Sequence, residues 1–112
     1  MASDQEFVDF VCDQMRGAGP ISFRKMFGEY AIYCRGKVVA LVCDNQLFVK
    51  PTAGGRSFGG NVEEAPPYPG AKNYFLVGDR IDDREWVSGL VRATEKNLPA
   101  PKPKKRKSKR RL

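Results

Sequence analysis

Chemistry in a protein needs nucleophiles, proton carriers or charges held at short range, and few stretches of this sequence offer them. Its 112 residues include no histidine. That removes the commonest general base and metal ligand, and with them every Ser-His-Asp or Cys-His arrangement. The glycine cluster Gly54-Gly55-Arg56-Ser57-Phe58-Gly59-Gly60 invites comparison with a phosphate cradle. The Walker pattern needs Lys and Ser/Thr after its last glycine, and Gly60 and Asn61 stand there instead; G-x-G-x-x-G does not fit either. A flexible surface loop is the expectation. Two acid pairs, Glu63-Glu64 and Asp82-Asp83, have the residue type for acid–base work or for a cation. No His or third acid is placed to complete a site with them. The first pair lies in a Pro/Gly-rich stretch, and the second is explained by helix capping. We expect no catalytic residue, no metal site and no cofactor, and a binding or regulatory role in place of an enzyme.

Three cysteines remain, Cys12, Cys34 and Cys43. The number is odd and there is no C-x-x-C spacing. The N-terminus opens with acidic residues rather than a signal peptide, and no apolar run approaches a membrane span. Buried free thiols in a reducing cytoplasm are the expectation. A turn near Gly36 would put Cys34 and Cys43 on adjacent strands without setting them opposite each other.

Charge supplies the clearer signal. Net charge is +7, yet residues 1–100 hold twelve Lys/Arg and thirteen Asp/Glu, a net of −1. The whole excess sits in Lys102, Lys104, Lys105, Arg106, Lys107, Lys109, Arg110 and Arg111. Pro99, Pro101 and Pro103 introduce this block and favour an extended linker. A self-repelling block with one apolar residue, Leu112, has no means to order itself. We expect a disordered basic tail, residues 99–112, that contacts nucleic acid through phosphates without reading sequence. Arg24 and Lys25, in the folded part, are the fallback site, although a solvated, charged sheet edge that blocks edge-to-edge pairing is the favoured reading of them.

The elements that would carry these groups can be read from periodicity. Ser3 and Glu6 fit a capping box ahead of Phe7, Val8, Val11, Cys12 and Met15 at helical spacing, giving a helix over about 4–16. Gly17 and Gly19-Pro20 stop it. Tyr30–Arg35, Val38–Cys43 and Leu47–Lys50 read as strands of an antiparallel meander, with Gly36 and Asp44-Asn45 as turns. A strand near Ser22–Phe27 precedes them, with Met26 and Phe27 as core and Gly28 as a bulge or close approach. Residues 52–73 read as a long connection, with a short helix near Arg56–Phe58. Tyr74–Val77 is a later strand. Asp82 and Glu85 cap a final helix over about 83–98 with Trp86, Val87, Leu90, Val91 and Leu98 on its apolar stripe. The fold class is α+β: two layers, an antiparallel sheet made of a hairpin meander plus a later strand, with the N-terminal and C-terminal helices packed on one face.

The run RKMFGEYAIYCRGKVVALVCDNQLFVKP, from Arg24 to Pro51, resembles the N-terminal domain of the TfoX/Sxy family. The later Tyr74–Val77 strand and the Trp86 helix also sit where that family has them, so the likeness spans residues 3–98. The resemblance implies an α+β domain over residues 1–98, a bacterial or archaeal source, and a regulator of natural competence that promotes transcription alongside the cyclic-AMP receptor protein. It implies no enzymatic activity. The full-length regulators carry a further helical C-terminal domain, where this chain has its basic tail. A protein-interaction adaptor, with the sheet or its edge as docking surface, is the alternative function. No membrane partner is expected, and the oligomeric state is open.

Overall fold

Apolar residues at helical spacing near both ends, with strand-type runs between them, place two helices against a sheet. The structure is a computed structural model and describes residues 3–26 and 29–99. In chain order its elements are α1 (Gln5–Met15), β1 (Ile21–Met26), β2 (Glu29–Cys34), β3 (Lys37–Cys43), β4 (Gln46–Val49), α2 (Ala53–Gly59), β5 (Glu64–Ala65), β6 (Tyr74–Val77) and α3 (Arg84–Asn97). Single 3-10 turns follow α1 at Arg16–Ala18 and precede α3 at Asp79–Asp82.

The strands form one antiparallel sheet in the order β1-β2-β3-β4-β6-β5. Both meander turns use paired positive-φ residues, Arg35 (54°) with Gly36 (80°) and Asp44 (53°) with Asn45 (56°). This geometry matches the right-handed twist of the flanking strands. Arg35 therefore belongs to the turn and not to the strand expected to end on it. Pleat alternation sends Tyr30, Ile32, Cys34, Val42, Leu47, Val49, Phe75 and Val77 to one side. There they meet Val8, Val11, Cys12 and Met15 of α1 and Trp86, Val87, Leu90 and Val91 of α3 in a single core. A bulge at the β2–β3 pairing lets the ladder pass from Ile32↔Ala40 to Tyr33↔Val38, and the extra residue, Val39, is fully buried in that core.

Several local expectations are corrected. The Ser3–Glu6 capping box does not form: Asp4 is the N-cap of α1 and makes no side-chain cap bond. The Ser3 hydroxyl is engaged elsewhere, donating to Glu29 Oε1 at 2.5 Å and accepting from Asn45 N–H at 3.0 Å. The cap of α3 is Asp83 rather than Asp82, its Oδ1 accepting from Trp86 N–H at 3.0 Å, because Asp82 is still inside the 3-10 turn. Met26 is not core; it is 42% exposed on the edge strand. Phe27 and Gly28 lie outside the described residues.

The glycine-rich stretch becomes α2, longer than the expected turn of helix, and the connection adds the two-residue strand β5. Intrinsic propensity opposes a helix with three glycines in seven residues, and packing overrides it. Thr52 caps the helix, its Oγ1 accepting from Gly55 N–H at 2.9 Å. A Cβ on Gly55 would stand 3.0 Å from Thr94 Oγ1 and 3.1 Å from the Phe75 ring, so glycine permits the close approach to α3 and the sheet. The Thr94 hydroxyl is fully buried and has no hydrogen-bond partner among the described residues. A buried unpaired hydroxyl costs about 1–3 kcal/mol. Thr94→Val, which keeps the shape, is expected to raise stability by about 1 kcal/mol on that ground, read as a higher thermal midpoint.

Candidate binding surface

Two ends and one face of the sheet hold the groups that could engage a partner. At the end formed by the β2–β3 turn, Lys37 closes α3. Its Nζ donates to the carbonyls of Glu95 (3.1 Å) and Leu98 (3.0 Å) and to Glu95 Oε2 (2.8 Å). A cation on the last carbonyls of a helix satisfies orphan acceptors and complements the dipole. Arg35 adds a longer ion pair to Glu95 at 3.9 Å. The Lys37 hydrogen bond holds the Glu95 carboxyl below its ordinary pKa. A depressed carboxylate contributes stability above its unfolded pKa, and loses it as pH falls through the folded value. Glu95→Gln is therefore expected to lower the thermal midpoint at neutral pH. The gap to the parent protein should close in strong acid, where both side chains are neutral; a gap independent of pH would refute the assignment.

At the opposite end a polar knot ties the N-terminus to the sheet. Asp4 N–H donates to Asn45 Oδ1 at 2.8 Å, Asp44 N–H to Glu29 Oε2 at 3.0 Å, and the Tyr30 hydroxyl to Gln5 Oε1 at 3.3 Å. Both oxygens of Glu29 are thus occupied, one by Ser3 and one by Asp44.

Between these ends lies the sheet face turned away from α1 and α3. The strand register aligns Arg24, Ala31, Leu41, Phe48 and Leu76 in a row across it. Ala31 and Phe48 are buried, whereas Leu41 and Leu76 are half-buried. The connection after β5 lies over part of this face: Pro67 is buried, and with Tyr68 and Pro69 it walls a cleft of about 740 Å³. Met26, Leu41 and Cys43 form its sheet side, and Glu29, Tyr30 and Asp44 its far end. Glu29 and Asp44 are the charged residues of the lining.

The sequence-predicted sites fall out as follows. Arg24 and Lys25 are exposed on the edge strand β1 and make no ion pair among the described residues. Only Arg24 shares the cleft's face, and it stands outside the lining. Lys102, Lys104, Lys105, Arg106, Lys107, Lys109, Arg110 and Arg111 lie outside the described residues. Glu64 is paired with Arg56, which also stacks 5.2 Å from the Phe75 ring centroid. The cleft itself was missed by sequence reading. Its signal is the Pro-Pro-Tyr-Pro run at 66–69, which marks a stiff segment but not the surface it crosses.

The three cysteines are free and buried, as expected. Register pairs Cys34 with Lys37 and Cys43 with Gln46, so the two thiols do not face each other. Burial pushes Cys12 up to about 11 and raises Cys34 and Cys43 as well. Because the thiolate is the reactive form, alkylation of the native protein should be slow at all three and fast only after denaturation. Rapid native labelling of Cys34 would contradict the core.

A two-layer α+β domain with both terminal helices on one sheet face is the class this architecture defines. Comparison makes it specific: the family model of the TfoX N-terminal domain matches residues 13–98, and the chain belongs to that family. It is similar also to the "Uncharacterized 12.7 kDa protein in trpE 5'region" of Spirochaeta aurantia, at 46% identity over 97% of this chain and 95% of that protein. That coverage carries the alignment past Leu98 into the basic segment.

Proposed function

We propose that this chain is a non-enzymatic regulatory binding protein in which a TfoX-type domain carries a basic tail with sequence-indifferent affinity for nucleic acid. The observation behind this reading is the charge partition: a domain of net −1 followed by eight basic residues without an acid. Cations at that density release counterions from a phosphate backbone, and a tail without a groove-filling element reads no bases. Family likeness favours transcription, and competence regulation within it, as the process served. Free buried thiols fit a reducing cytoplasm, and among the described residues no helix is long and apolar enough to cross a membrane.

The test is DNA binding at low salt by the intact chain and by a variant with the eight tail Lys/Arg changed to Ser. Loss of binding at unchanged thermal midpoint supports the reading. Equal binding by both forms moves the site to Arg24 and Lys25. No binding by either favours an adaptor, the second reading, for which the half-buried Leu41 and Leu76 on the helix-free face are the specific support.

A further inference from the structure

The cleft on the helix-free face has an apolar floor, a proline and tyrosine wall, and two carboxylates as the charges of its described lining. Its volume of about 740 Å³ falls within the range of about 300–1,000 Å³ that suits small ligands or a few side chains. The chemistry that matches it is a cation on an aliphatic stem. Lys and Arg have that form, laying methylenes on apolar surface while the head group reaches a charge.

We propose that the basic tail, residues 100–112, docks in this cleft of its own chain, with Lys and Arg heads at Glu29 and Asp44 and their stems on Leu41 and Cys43. Charge complementarity is one argument: among the described residues the cleft lining holds acids and no Lys or Arg, and the tail holds bases and no acid. Reach is the second. Lys37 holds the Leu98 carbonyl at the β2–β3 turn, which fixes where the tail departs. From Lys37, β3 runs seven residues to Cys43, about 20 Å at 3.3 Å per residue. Thirteen residues extend to about 43 Å, enough to round the turn and lie along β3 with slack. Prolines at 101 and 103 favour an extended start of about 3.1 Å per residue, which would give the basic block the reach to Asp44. Tethering is the third: a short linker supplies an effective concentration on the order of millimolar, so a site that holds a free peptide only weakly is occupied by a linked one. The docking does not depend on the tail binding nucleic acid.

Amide NMR of the full chain tests this. The amides of Leu41, Cys43 and Tyr68 should differ between the intact chain and the variant with the tail Lys/Arg changed to Ser. Added salt should move the intact spectrum toward that of the variant, since screened charges release the tail. Asp44→Asn in the intact chain should cut the difference at least by half; Asn tolerates the positive φ of that turn position. A synthetic peptide of residues 99–112 added to the neutralised variant should shift the same amides, and several-fold more weakly with Asp44→Asn. Identical cleft amides in intact and neutralised chains would overturn the proposal, as would changes confined to another face. A difference that fades on dilution would place a second copy's tail in the cleft and overturn docking within one chain.

Discussion

Trp86→Ala lowers the thermal midpoint by at least about 12 °C. Trp86 is 9% exposed at the first turn of α3 and belongs to the core shared by both terminal helices and the sheet. A Cβ on Gly59 would lie 3.8 Å from its ring, so the indole also supports the end of α2. The Arg80 guanidinium sits 3.8 Å over the ring centroid, adding a cation–π contact. Truncating a buried Trp to Ala costs about 3–5 kcal/mol. A domain of this size has roughly 5–15 in total, and each kcal/mol moves its midpoint by about 4–8 °C. Far-UV circular dichroism is the right probe, since the chain's one tryptophan is gone in the variant. An unchanged midpoint would mean that Trp86 does not serve the core and should be tested as a contact residue.

The second large effect is on nucleic-acid affinity. Each phosphate neutralised on duplex DNA contributes about −0.9 to the slope of log affinity against log salt. Eight basic residues in the tail set the upper limit, and a tail that engages about four to eight of them gives a slope of about −4 to −7. A fourfold rise in salt should then weaken binding by about 250-fold to about 16,000-fold. Affinities for unrelated duplexes should agree, and single strands should give the shallower slope of about −0.7 per contact. A slope near zero, or strong preference among sequences, would refute a tail that works through phosphates alone.

Much of the architecture was legible because its signals are local. Helical spacing of Val8, Val11, Cys12 and Met15, the strand runs, and Asp44-Asn45 between two of them each determine their element within a few residues. What escaped depends on contacts far away in sequence. Gly54, Gly55 and Gly59 read as a flexible loop on propensity, and only the facing surface of α3 makes them a helix. Ser3 looked like a cap, but Glu29 and Asn45, brought beside it by the meander, take its hydroxyl. Met26 is apolar and sits in a strand, yet that strand is the sheet's edge. The cleft belongs to the same class, since it exists only where residues 66–69 cross a sheet formed mostly before them.

The single core has a consequence for synthesis. Strands β1 to β4 are neighbours in sequence and pair through short turns, so they can assemble early, as connections of low contact order do. Trp86, Val87, Leu90 and Val91 come from the last helix. A chain emerging N-terminus first therefore has only α1 to set against the face of Ile32, Val42, Leu47 and Val49, and the share of that core supplied by residues 84–97 stays open until they are available. Until then the nascent protein is an adhesive half-domain, and premature termination before Trp86 should leave material that aggregates or recruits chaperones rather than a smaller soluble fold.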